Sequence, residues 1–429
     1  MERYDSYKDS GVKWLGKIPS HWEILPGLAV FKENKTKNTE LSEKTVLSLS
    51  YGNIIIKKDI DEGLVPADYK GYQIVHPGYI IIRCTDLQND KVSLRTGLVK
   101  NDGIITGAYL GLKVDGSFTS SYVHYFLHSW DITKEIYRHG SGLRQSLSWF
   151  DLRRLPILIP SREEQNKIVS YLNDAVSKID EAIAQQQKMI DLLNERKQII
   201  INHAVTKGLA PNVPMKDSGI DWLGSIPAHW ELRKLKHIYK RIADGTHFSP
   251  VTVTEGLPYI TATDVNGRGL NYDTVKRISY KDFENLVVAG CRINKGDILI
   301  VKDGATTGRV GIKMDDVDCV ALSSVAMLTP SVFTDNNFLM YAMMSDMIKK
   351  QIDLSMAGAA MPRITLVKLS NYVCTLPCYD EQKMISDYID SKIQPLDNAV
   401  KSAKEKISLL QERKQIIIND VVTGKVKVV

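Results

Sequence analysis

The sequence predicts a mixed α/β protein built as two tandem copies of one plan. Each copy is a domain with a twisted sheet followed by a long helix, and the two helices pair antiparallel as a coiled coil with pseudo-twofold symmetry. Three observations predict this. The stretch Lys8 to Glu23 (KDSGVKWLGKIPSHWE) recurs 208 residues later as Lys216 to Glu231 (KDSGIDWLGSIPAHWE). The stretch ERKQIIIN at Glu195 to Asn202 recurs 217 residues later at Glu412 to Asn419, so the ends of the copies match while the middle of the second has gained nine residues and a different sequence. In each copy the closing match lies on a long run of apolar residues at helical spacing.

The opening match reads as the entrance to each domain. Ile18, Pro19 and Trp22 form a packing motif that His21 caps or orients, and His229 holds the equivalent place. A symmetric histidine pair also suits metal binding or acid–base work. The middles then read as β-rich. GNIIIKK (Gly52 to Lys58), GYIIIRC (Gly78 to Cys84) and GDILIVKD (Gly296 to Asp303) are short runs rich in isoleucine or valine, each opened by glycine, as strands bounded by turns should be. NDGIITG, GRGLNYD and DGATTGR mark turns between them. Helical stretches at Ser120 to Tyr137 and Asp335 to Leu354 weigh against an all-β sandwich.

Each copy then closes on its helix. Ser161 and Glu164 give the Ser-x-x-Glu pattern of a capping box after Pro160. Ile168, Leu172, Ala175, Ile179, Ala182, Gln186, Met189, Leu193 and Ile200 follow at steps of three and four, apart from a gap across Arg196. Such a seam needs a partner helix. The second copy supplies Ile385, Ile389, Leu396, Ala399, Ala403, Leu410 and Ile417, with Cys378 in place of the capping serine. Pro395 falls inside that run, where the loss of a backbone hydrogen bond predicts a short helix, a kink and a longer helix. Glu195 to Lys197 and Glu412 to Lys414 read as a charge stripe on the coil, and KGLAPNVP at Lys207 to Pro214 ends the first helix. The segments are thus 1–159, a first globular domain; 160–210, a first helix; 211–376, a second domain; and 377–429, a second helix.

Length and composition agree. A chain of 429 residues suggests two to four domains, and 43% hydrophobic with 25% charged residues excludes disorder as the default. The net charge of +6 permits nucleic acid without demanding it. Of five cysteines only Cys374 and Cys378 are close, which points to free thiols rather than to a disulfide framework or a four-ligand zinc site. No run of 18 uncharged apolar residues exists and the first ten residues lack the order of a signal peptide, so the expected location is the cytoplasm. GxxxxGK[ST], GxGxxG after a strand, HExxH and GxSxG are all missing, as is the Asn-Pro-Pro-aromatic or Asp-Pro-Pro-aromatic element of amino-methyltransferases. No catalytic, cofactor-binding or metal-binding residue is therefore assigned, and the chain is expected to bind no cofactor.

Candidate DNA contacts are polar groups in or beside the turns of the divergent middles. They are Arg83, Thr85, Lys91 and Arg95 in the first copy, and Thr246, His247, Lys302, Thr306, Thr307 and Arg309 in the second, with Asp244 and Gly245 beside them. Arginine matches guanine edges, threonine contacts base or phosphate, and loops carry both into a groove. An ordinary surface role is the competing reading at each position.

Together, the duplicated WLGxIPxHWE entrance, the P-x-x-x-EQ helix start (Pro160, Glu164, Gln165; Pro377, Glu381, Gln382) and the ERKQxII coil end resemble the specificity subunit of a type I restriction-modification enzyme, over the whole chain. GIITGAY at Gly103 to Tyr109, DGTHFSP at Asp244 to Pro250, GDIL at Gly296 to Leu299 and GRVG at Gly308 to Gly311 match further. The resemblance implies two target-recognition domains, each reading one part of a split, asymmetric site in double-stranded DNA. It implies two modification (methyltransferase) subunits and restriction/translocase subunits as partners, which carry out adenine methylation and cleavage. S-adenosylmethionine then belongs to the modification subunit, and ATP with magnesium to the restriction subunit. A specificity subunit of a type IIB-like enzyme shares the architecture; a non-catalytic coiled-coil scaffold would show no sequence-dependent DNA affinity; a stand-alone nuclease or methyltransferase would need the missing motifs.

Overall fold

A computed structural model describes residues 2–57, 68–140, 145–267, 269–356 and 363–428; Lys58 of the first expected strand and Arg268 of the GRGLNYD turn lie outside them. Two compact units emerge, Met1–Gln187 with Lys404–Val429, and Lys188–Ala403. The units interleave the four segments set from the sequence, since each takes one half of each long helix.

In the first unit the entrance motif folds as a small antiparallel pair, Tyr7–Asp9 with Lys17–Pro19, closed by Gly11 and Gly16 at φ +68° and +62°. Glu23–Pro26 then pairs antiparallel with Pro156–Ile159, the strand just before the coil. The chain therefore enters and leaves the domain on adjacent strands, and whatever lies between can change without moving either end. Between them stands a four-stranded antiparallel sheet of β1 (Phe31–Glu33), β2 (Ile80–Ile82), β3 (Thr96–Leu98) and β4 (Leu110–Val114), in the order β1-β4-β2-β3. Ile80 and Ile82 enter one core and Ile81 another. Successive side chains of a strand point to opposite faces, so an all-apolar strand is the mark of a sheet covered on both sides. Helix α1 (Ser120–Ile132) covers one face through Tyr122, Val123, Phe126 and Trp130, and Leu47, Ile54, Val75 and Ile105 cover the other.

The coil helix α2 (Arg162–Lys207) leaves this domain and runs unbroken for 46 residues. The second unit then repeats the plan: Met215–Asp217 pairs with Ser225–Pro227, and Glu231–Lys234 with Val373–Leu376. Its sheet of β5 (Tyr239–Asp244), β6 (Ile298–Val301), β7 (Val310–Ile312) and β8 (Val325–Pro330) has the order β5-β8-β6-β7, the same topology as the first. Ile298 and Ile300 again face one core while Leu299 and Val301 face another. The second copy adds a sheet of Thr252–Val253, Leu257–Ile260, Lys276–Ile278 and Val320–Ala321, with a helix at Tyr280–Val288. Helices α3 (Asn336–Met344) and α4 (Asp346–Met356) occupy the second expected helical stretch, and α5 (Tyr379–Val422) closes the chain.

Inside each unit the two helix segments run antiparallel. In the first, the Lys414 ammonium donates to Asp180 at 2.7 Å, and a Cβ placed on Gly424 would stand 3.2 Å from Trp22, whose indole bonds Glu164 at the start of α2. As α2 advances from Glu164 to Asp180, the closing segment returns from Gly424 to Lys414. In the second unit Lys197 pairs with Asp397 and Gly208 lies against Trp230 and Glu381. The two ion pairs join the same two positions with the copies exchanged, since Asp397 and Lys414 each lie 217 residues after Asp180 and Lys197. The apolar seam differs from the expected one at its centre. Met189 is exposed and Ile190 is buried, while Ile201 is buried in place of Ile200; where apolar residues are adjacent, spacing alone leaves the phase ambiguous by one position.

Two further expectations are corrected. The second helix is not divided into two at Pro395; a single element spans Tyr379–Val422 with the proline inside it. Pro395 and Ser391 are both exposed, so water can satisfy the Ser391 carbonyl that loses its donor. The capping box at Ser161 is only half formed. The Glu164 N–H donates to Ser161 Oγ at 3.2 Å, but the Glu164 carboxylate accepts instead from Tyr4 Oη (2.7 Å) and Trp22 Nε1 (3.0 Å) and meets His21 Nε2 at 3.1 Å. His229 meets Glu381 at 2.9 Å in the second copy. Both histidines thus tie the entrance motif to the coil. The adjacent Gln165 and Gln382, each 1% exposed, accept the N-cap amide N–H of Thr119 and Asp335, fixing the start of α1 and α3.

Candidate nucleic-acid interface

The sheets are equivalent in the two copies, and so are the loops that join β2 to β3 and β6 to β7. Residues 83–95 make the first loop and 302–309 the second; both carry expected DNA contacts. Each is organised by one buried cation at its base.

In the first loop that cation is Arg95, which is 0% exposed. Its guanidinium donates to the carbonyls of Arg83 (3.3 Å), Thr85 (2.8 Å), Asp86 (3.1 Å) and Asp90 and to Tyr137 Oη (3.1 Å). Its own N–H donates to Asp131 Oδ2, a carboxyl that burial raises to about 6. Arg95 is therefore not available to DNA, which corrects its assignment as a contact: four bonds of the guanidinium hold the loop backbone and the fifth goes to Tyr137. Arg83 is half-buried and donates to Asp90 at 3.0 Å. The Asp90 carboxylate also accepts the N–H groups of Ser93 and Val92, and these bonds, that of Ser93 foremost, lower it to about 2. What the loop presents outward is Thr85, Gln88, Asn89, Lys91, Val92 and Ser93.

In the second loop the buried cation is Lys302, 3% exposed, with Nζ 2.9 Å from Asp303 and 3.4 Å from Asp244. It too is corrected from a contact to an internal group, because a side chain held between two carboxylates below the surface cannot reach a phosphate. Asp303 also meets Arg363 at 3.2 Å and Asp244 meets His247 at 3.4 Å, so one chain of charges connects three separate stretches of backbone. Thr246 is 8% exposed and is likewise corrected; its hydroxyl accepts the Phe248 N–H at 3.0 Å and forms a local turn. The Thr307 hydroxyl donates to the Gly304 carbonyl at 2.6 Å, and Gly304 and Gly308 adopt φ +97° and +91°, which only glycine enters without strain. Thr306 is half-buried, while His247 and Arg309 are exposed. Gly245 is pressed against the Ala321 carbonyl, leaving no room for a side chain.

Sequence reasoning missed Phe248, which is 69% exposed on this rigid turn, and Arg363, whose side chain is 65% exposed. An aromatic residue among Gly, Thr, Ser and Pro in DGTHFSP was the available signal for the first. Cys374 is buried, with its thiol pushed up to about 12, and Cys378 is exposed, so the two do not face a common ligand. Among the described residues no group of three or more metal-ligating side chains converges, and no helix is long and apolar enough to cross a membrane.

Comparison with known proteins bears on this arrangement. The family described as the type I restriction modification DNA specificity domain matches residues 227–410. The chain is 27% identical over 280 residues to the MjaVIII specificity subunit of a type I restriction enzyme from Methanocaldococcus jannaschii, covering 64% of this chain and 63% of that one, so it spans a little under two thirds of that relative. It is 26% identical to the putative MjaX specificity subunit from the same organism over 98% of both chains. A chain solved in work on complex assembly and conformational transition of the type I R-M system shares the fold over 95% of this chain and 99% of that one, with a TM-score of 0.64 at 15% identity.

Proposed function

We infer that this chain, which belongs to the DNA-specificity subunits of type I restriction-modification systems, reads a split, asymmetric site in double-stranded DNA, one half with each compact unit. One observation carries the reading. The two copies share entrance, exit and sheet topology, yet the surfaces around their equivalent loops present different side chains: Thr85, Gln88, Asn89 and Lys91 on the 83–95 loop of one, and in the other Arg309 on the 302–309 loop with His247, Phe248 and Arg363 on the segments tied to it through Asp244 and Asp303. Identical frames with different exposed loops are what two readers of different base sequences require.

The chain supplies the address and no chemistry of its own. Three of its buried ionisable groups, Glu164, Arg95 and Lys302, are engaged in internal bonds that tie elements together. Adenine methylation and cleavage are then the work of separate modification and restriction subunits, two of the former docking on the coil, with S-adenosylmethionine and ATP with magnesium bound on those partners. The test is selection from a random duplex library by the full chain co-expressed with its modification subunit. Two fixed blocks of bases separated by a constant unread gap support the reading; one contiguous block, or no enrichment, overturns it.

A further inference from the structure

We propose that Arg95 and Lys302 are positioning residues for DNA recognition, each setting the base preference of one half-site through a loop whose outward residues make the contacts. The inference rests on the function proposed above and goes beyond it, because it separates the groups that touch DNA from those that hold them.

Three observations lead to it. First, the two cations stand at the base of the same hairpin in the two copies, Arg95 just before β3 and Lys302 just after β6. Second, both are withdrawn from solvent, at 0% and 3% exposure, and an apolar residue of similar volume would fill either position with less desolvation. What an apolar residue could not do is bond four carbonyls of one loop, as Arg95 does, or bridge the carboxylates of Asp244 and Asp303, as Lys302 does. Third, the backbone so held carries exposed polar or aromatic side chains: Asn89 and Lys91 on the first loop, and in the second unit Phe248 and Arg363, which neighbour Asp244 and Asp303. Readout of a base edge demands that donors and acceptors be placed to a fraction of an ångström before binding. A buried cation that collects carbonyls from one loop, or carboxylates from adjoining segments, does that for the whole surface at once.

The two sites differ in kind. Arg95 fixes backbone directly, so its loop keeps one shape. Lys302 acts through two carboxylates, one of which also holds the exposed Arg363, so loss of Lys302 leaves Asp303 with Arg363 as its cationic partner and draws that arginine inward.

The experiment uses the full chain, with its cognate subunits, in the host that carries it, and reads methylated sites across the chromosome. Lys302→Met should relax base preference about tenfold or more in one half of the split motif and leave the other half stringent. Lys302→Arg, which retains the charge between the two carboxylates, should recover most of the preference. Arg95→Met should relax the opposite half, and the milder Tyr137→Phe, which removes one partner of the guanidinium, should do so more weakly. A merely structural role would lower methylation at all sites with both halves equally stringent, and that result overturns the proposal. It is overturned equally if Lys302→Met supports methylation with an unchanged motif, or if Arg95→Met abolishes methylation while Tyr137→Phe leaves its half-site unaltered. Absence of any split motif dependent on the wild-type chain would instead refute the proposed function, so the two failures are distinguishable.

Discussion

Ile418→Ala should loosen the first unit, although residue 418 lies more than two hundred positions after Gln187, where the first stretch of that unit ends. Ile418 is 1% exposed and packs with Val421 and Val422 into the core that holds Tyr122, Phe126 and Ile168. Truncating a buried isoleucine to alanine removes its apolar burial and leaves a cavity, costing about 3 kcal/mol. At 1.4 kcal/mol per tenfold change, the opened population of the unit should rise about a hundredfold. Hydrogen exchange read by mass spectrometry should show faster exchange in α1 and β2 and unchanged exchange in α3 and β6. The copy exchange supplies an internal control: Ile201, 217 residues earlier and 2% exposed, packs in the second core, so Ile201→Ala should produce the opposite pattern. Faster exchange confined to the second unit in Ile418→Ala would refute the interleaved division of the helices.

Three other consequences are accessible. Glu164→Ala leaves Tyr4 Oη and Trp22 Nε1 without an acceptor, whereas among the described residues Trp230 Nε1 has no partner even with Glu381 in place; Glu164→Ala should therefore cost about 1–2 kcal/mol more than Glu381→Ala in thermal unfolding, and equal losses would contradict the clamp. Burial lowers His124 to about 3 and His128 to about 4, so unfolding takes up protons below pH 6.5 and stability falls with pH. Asp131, which burial raises to about 6, opposes this, because it contributes stability fully below 3.8 and loses it as pH rises through 6. The net loss in the first unit between pH 7 and pH 5 is about 2 kcal/mol, and exchange protection that stays constant over that range would refute it. Finally, a fragment ending near Pro211 carries ERKQIIIN at 195–202, identical to the 412–419 segment whose isoleucines complete the first core, so two fragments should exchange helix ends and form a dimer that reads a palindromic split site. A monomer in the ultracentrifuge, or a methylated motif that is not palindromic, would contradict this.

Much of the fold was legible because repetition marks what must stay fixed. The entrance packing motif, the isoleucine strands and both long helices stand where the sequence placed them, although the hairpin that the entrance forms was not read from it. Three things were not legible, each for a physical reason. The interleaving of units is a long-range choice between equivalent helix ends, which two copies of ERKQIIIN cannot distinguish. The Ser-x-x-Glu pattern has a local partner for Glu164 in any isolated helix, and only tertiary packing offers Tyr4 and Trp22 as better donors. Among the candidate contacts, a loop arginine reads the same in sequence whether it points to solvent or into its own loop. For Lys302 a weak signal existed: it directly follows Ile298–Val301, four apolar residues that are all fully buried in a sheet covered on both faces, so either parity would place it inside. For Arg95, which follows Leu94 and opens β3 at Thr96, no comparable pattern was present.

The most direct test of the central claim is sequencing of methylated bases in the host chromosome with the gene deleted and then restored. The account predicts that one motif of methylated adenines, two short specified blocks separated by a fixed unread gap, disappears on deletion and returns on restoration. A methylation pattern unchanged by deletion, or a lost motif that is contiguous, would contradict it.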